Sequence, residues 1–176
     1  MMKNTVRSFV ACCGLCFSLL SCQAQTNDVA ISHFEVQQLM EKLSHDDMRG
    51  RSALNPKDIK KASELIEDEF KKAGLRYFSG LDSYKQPFQQ KVRNKRYEMN
   101  NVVGVLPGKS RPEEVVIFSA HYDHIGVIGA VNQDSIANGA DDDASGVTAV
   151  IELAKYFATQ NNNERTLVFI ALTAEE

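Results

Sequence analysis

Two short apolar runs, VVIFSA at 115–120 and TLVFIAL at 166–172, constrain the fold more than any other feature of the chain. Both are too short to span a membrane, and neither alternates as a half-exposed strand does, so each is expected as a strand buried on both faces. Between them Val147, Val150, Ile151, Ala154 and Phe157 recur at three- and four-residue spacing. That spacing predicts a helix with one apolar face, and Ser145 is placed to cap it. Strand, helix, strand at this separation is a βαβ unit. It predicts an α/β fold: a mixed, largely parallel β-sheet flanked by helices, with a right-handed crossover.

The upstream pattern is compatible. Residues 34–43 suit a short helix. Asn55-Pro56 offers an N-cap with proline at the first helical position, and Ile59, Ala62, Ile66, Phe70 and Ala73 share one face until Gly74 supplies a left-handed stop. Residues 88–92 and 97–106, separated by Arg93-Asn94-Lys95-Arg96, read as an antiparallel hairpin ended by Pro107-Gly108.

The first 21 residues are of another kind. Lys3 and Arg7 precede an apolar run up to Leu20, the build of a secretory signal and too short for a transmembrane helix. Leu19-Leu20-Ser21-Cys22 resembles a bacterial lipobox, which implies a lipid on Cys22; the alternative is ordinary cleavage near Gln23-Ala24-Gln25. Either implies export, to the periplasm, the outer membrane or cell surface, or the medium. Residues 22–33 then read as a linker and 34–176 as the folded body. All four cysteines (Cys12, Cys13, Cys16, Cys22) precede that body, so it has neither a disulfide framework nor a cysteine zinc site. The formal charge is −3, and losing Lys3 and Arg7 with the signal leaves −5, which argues against a nucleic-acid partner.

In open α/β sheets ligands gather beyond the carboxyl ends of the strands. His121-Tyr122-Asp123-His124 follows the first apolar run, Asp141-Asp142-Asp143 precedes the helix, and Thr173-Ala174-Glu175-Glu176 follows the second run. Three adjacent aspartates repel one another and call for a cation. Imidazole and carboxylates at one sheet edge form a donor set for a divalent metal such as zinc. The contiguous aspartates do not fit a calcium loop, and Ser119 stands where a metallo-β-lactamase-type H-x-H-x-D-H needs its first histidine. HExxH, a Walker loop and G-x-S-x-G are absent.

Together, SAHYDHIG, DSIANGADDDASGVTAVIELAKYF and RTLVFIALTAEE resemble the zinc-dependent exopeptidases of the bacterial leucyl aminopeptidase type, relatives of glutamate carboxypeptidase. MRGRSALNPKDIKKASELIEDEFKKAGL and YEMNNVVGVLPG extend the resemblance upstream to about Met48. The resemblance implies peptide substrates and two zinc ions. His121 would bind one zinc, Asp123 would hydrogen-bond the other nitrogen of that imidazole, and Asp142 would bridge the two ions. Asp143 would contribute to the peptide link that aims Asp142, while Asp141 would be solvated or capping. Glu176 would bind zinc, Glu175 would be the general base, and His124 would be structural.

The family pattern has two further ligands downstream, an aspartate and a histidine, and the sequence stops at Glu176. The chain is therefore expected to be the N-terminal part of a longer enzyme. Residues 22–176 alone are expected to show no peptidase activity, with the last strand left at a sheet edge. Two other functions remain open: a non-catalytic relative used for binding, and a glutaminyl-peptide cyclase. A membrane association is expected only through a lipid on Cys22.

Overall fold

The computed structural model describes residues 31–176; the signal, Cys22 and most of the linker lie outside the described residues. Helix α1 (His33–Leu43) starts where Ser32 accepts a hydrogen bond from the Glu35 amide. Helix α2 (Pro56–Lys72) starts as expected, with Asn55 accepting from the Lys57 amide and Pro56 in the first turn. It ends before Gly74, whose φ is +73°. Its buried face carries Ala62, Ile66 and Phe70.

Strand β1 (Arg76–Tyr77) is short, and β2 (Lys85–Val92) and β3 (Lys95–Leu106) form the expected antiparallel hairpin around Arg93-Asn94. Strand β4 (Arg111–His121) leads to a small second hairpin, β5 (Val127–Val131) with β6 (Asp134–Ile136), which the sequence pattern had not suggested. Its turn uses two left-handed residues, Asn132 and Gln133. Helix α3 (Ser145–Gln160) then crosses to β7 (Arg165–Leu172). Ser145 is the first residue of α3 rather than its cap, with its hydroxyl donating to the Asp141 carbonyl, and left-handed Asn161 closes the helix.

The main sheet runs β1-β3-β7-β4, with β2 also paired to β3. The sheet is mixed and flanked by helices, as expected, but β4–β7 is its one parallel pair among the described residues. The reason is connectivity: parallel neighbours need a crossover, and α3 supplies the one such crossover here. Two expectations require correction. Strand β7 lies between β3 and β4, not at an edge. Strand β4 is the edge and is not buried on both faces, with Val115 54% and Ile117 59% exposed. The three helices share one core with Val102, Leu167, Phe169 and Ala171 on one sheet face. Val105, Val115, Ile117 and Ile170 line an open groove on the other.

Candidate functional site

The parallel pairing of β4 and β7 sets His121 opposite Leu172, so the loops leaving both strands start side by side. The Tyr122 amide donates to the Leu172 carbonyl at 2.8 Å, extending the pairing into the loop. The buried Tyr122 phenol donates to the Asn100 carbonyl at 2.6 Å, and burial pushes its pKa up, so it anchors the loop as a neutral group. Asp123 is fully buried, and its two oxygens accept from the Glu175 and Glu176 amides, each at 3.4 Å. One carboxylate thus ties the histidine loop to the glutamate loop.

The third segment arrives from the turn Ala140–Ala144 before α3. The Asp142–Asp143 peptide is cis. Asp143 faces inward, accepting from the Gly146 amide at 2.9 Å and from the His121 amide at 3.3 Å. A side chain on Gly146 would overlap that carboxylate and force it to move. Asp142 faces outward. Its Oδ1 lies 3.1 Å from His121 Nε2, and its Oδ2 lies 4.0 Å from His124 Nδ1. Glu176 Oε1 is 2.8 Å from the same His124 nitrogen, and Glu175 Oε2 is 4.0 Å from His121 Nε2.

The structure thus brings together His121, Asp142, Glu175 and Glu176, all singled out in the sequence, and adds one residue set aside there. His124, Asp142 and Glu176 each offer a donor atom, and the three atoms lie within 4.8 Å of one another. The sequence signal for His124 was the second histidine of HYDH, uninformative without the β4–β7 register. Asp123 also sits differently from expectation: His121 Nδ1 is 3.2 Å from the Asp123 carbonyl but 4.0 Å from its carboxylate. Asp141 is exposed, as expected. Imidazole nitrogen and carboxylate oxygen are suitable zinc donors, so the donor set fits that ion. Asp142 turns one oxygen toward His121 and the other toward His124.

Residues 101–176 match the model of peptidase family M28. A probable zinc metalloprotease of Pyricularia oryzae is 43% identical over 79 residues, 45% of this chain and 15% of that protein. Among solved structures, a glutaminyl cyclase of Fimbriiglobus ruber superposes with TM-score 0.67 at 18% identity, over 83% of this chain and 46% of its own. A leucine aminopeptidase precursor of Bacteroides thetaiotaomicron gives 0.63, also at 18%, over 83% and 48%. The chain therefore spans a small part of that curated relative and under half of either solved structure. The fold is that of both enzyme types, and the match to peptidase family M28 is confined to residues 101–176.

Proposed function

We propose that this chain supplies the zinc-binding core of an exported exopeptidase, an aminopeptidase acting on N-terminal peptide bonds. The observation that carries the reading is Asp142, whose two carboxylate oxygens face different imidazoles while Glu175 stands beside the first of them. His121, Asp142 and Glu176 would hold zinc, Asp142 as the residue shared between two ions, and His124 keeps the Glu176 carboxylate in place. Bound zinc would supply the Lewis acidity that makes water a nucleophile near neutral pH.

The chain's own residues manage the proton. Glu175 is exposed and unpaired by any lysine or arginine among the described residues, so its carboxylate is free to accept a proton from the attacking water. The same proton passes to the leaving amine as the carbonyl carbon exchanges its bond to nitrogen for one to oxygen. Asp123 fixes the backbone of both glutamates and so aims the base. Export is proposed on the Lys3, Arg7 and Leu19–Cys22 pattern; among the described residues no helix is long and apolar enough to cross a membrane.

The test takes the protein in the longest form its gene encodes, strips it with chelator and reloads it with zinc. Zinc-dependent release of nitroaniline from leucine p-nitroanilide, lost in Glu175→Gln, is the expected result. Cyclisation of an N-terminal glutaminyl peptide without hydrolysis would move the reading to the cyclase, whose fold is shared. Zinc-loaded protein active on neither substrate would contradict an enzymatic role and favour a binding one.

A further inference from the structure

Arg51 belongs to none of the donor sets above, yet it is the largest fully buried side chain among the described residues. Its guanidinium donates four hydrogen bonds, all to backbone carbonyls: Tyr122 at 2.9 Å, Leu43 at 2.6 Å, Asn138 at 2.7 Å and Gly139 at 2.9 Å. Those carbonyls belong to three segments: the end of α1, the histidine loop, and the loop leading to the aspartates. The backbone makes the same connection, with His124 donating to the Arg51 carbonyl at 3.2 Å and Gly126 to the Gly50 carbonyl at 3.0 Å.

The turn that delivers Arg51 is demanding. Arg49, Gly50 and Arg51 are all left-handed, at φ +50°, +67° and +49°. A Cβ on Gly50 would come within 2.5 Å of the Gly126 carbonyl oxygen and 2.6 Å of that of Ala137. The turn is wedged between the two loops that carry His121, His124 and Asp142. Burying a cation is costly unless its donors are satisfied. Here no carboxylate lies within ion-pairing distance among the described residues; burial lowers the Arg51 pKa, and the carbonyl bonds and the more distant charges of Asp123, Asp142 and Asp143 offset part of that cost.

We propose that Arg51 is a positioning residue for the metal centre, clamping the 122–124 and 138–139 backbones in register so that the imidazoles and Asp142 are aligned before any ion arrives. The planar fork suits this task, because a lysine ammonium cannot reach three segments in one plane. The inference rests on the zinc reading above, but its structural half concerns the metal-free protein.

Two effects of removing Arg51 have opposite signs. Losing a nearby positive charge alone tightens cation binding, whereas losing the clamp loosens it. Co²⁺ serves as the probe, with its visible d–d absorption reporting coordination. Folded Arg51→Lys and Arg51→Met are expected to bind Co²⁺ about tenfold or more weakly, as when partners that orient metal ligands are removed, and with altered bands. Equal or tighter binding with unchanged bands would overturn the proposal. Should neither variant fold, hydrogen exchange in the metal-free wild type decides. The His124, Gly126 and Ala137 amides should exchange slowly before metal is added; protection that arises only with Zn²⁺ would mean that the ion, not Arg51, orders the loops. If the wild type binds no Co²⁺, the zinc reading falls, while the exchange data still report whether the clamp exists.

Discussion

Two clusters of carboxylates sit on opposite sides of the charge balance. Between α2 and α3, Lys155 reaches Glu69 at 2.7 Å and Glu152 at 3.0 Å, and Lys72 reaches Glu69 at 2.7 Å. Each acid there has an ammonium partner. At the carboxyl edge of the sheet, Asp123, Asp142, Asp143, Glu175 and Glu176 find backbone amides and imidazoles but no lysine or arginine within ion-pairing distance among the described residues. The first cluster is complete as folded. The second has excess negative charge converging on two histidines, and on the proposed reading a divalent cation would complete it.

The comparison can be broken at either cluster. The largest expected effect is on catalysis: in the longest form the gene encodes, Glu175→Gln should lower kcat by about 10²–10⁴-fold while bound zinc is unchanged, and Glu152→Gln should leave kcat alone. Steady-state kinetics with metal analysis on the same samples checks both. Next is the ion itself. Zinc at a hundredfold excess over its Kd should stabilise the fold by about 2.7 kcal/mol, reversed by chelator, in thermal melts. Lys155→Met should cost about 1–3 kcal/mol, read by urea unfolding. That is less than for a fully buried pair, because Lys155 is partly solvated and Lys72 still serves Glu69. Zinc should not rescue it.

Smaller effects sharpen the contrast. In the metal-free protein Asp142→Asn should change stability by no more than about 0.5 kcal/mol, since an exposed carboxylate without a cation loses little. The pH dependence distinguishes the clusters as well. Burial raises the Glu69 pKa, but the hydrogen bonds and charges of Lys155 and Lys72 outweigh it and leave the group below its ordinary value. Its contribution is therefore present above the ordinary glutamate pKa and is lost as pH falls through the lower folded one. Lys155 is raised: burial lowers its pKa, but its two glutamates outweigh that. Its contribution is present below the ordinary lysine pKa and fades as pH rises through the higher folded value. Acid melts of Lys155→Met should lose part of the Glu69 dependence, since Lys72 still pairs with that carboxylate.

Local patterns made much of this legible. Asn55-Pro56 and the Ile59–Ala73 spacing placed α2 to within a residue or two, and the apolar runs with their helix placed β4, α3 and β7 in order. The exposure of β4 was not legible, because an apolar run reads alike at the centre and at the edge of a sheet. His124 and Arg51 escaped for a related reason. The contact of His124 with Glu176 depends on the β4–β7 register, and the reach of Arg51 depends on three left-handed residues, neither of which leaves a periodic trace. Long-range geometry was the missing information, not residue chemistry.

The most direct test of the central claim is calorimetric titration of the metal-free chain with zinc, alongside Asp142→Asn and Glu152→Gln. The account predicts saturable binding by the wild type and Glu152→Gln that is lost in Asp142→Asn. Binding that survives in Asp142→Asn, or none in the wild type, would contradict it.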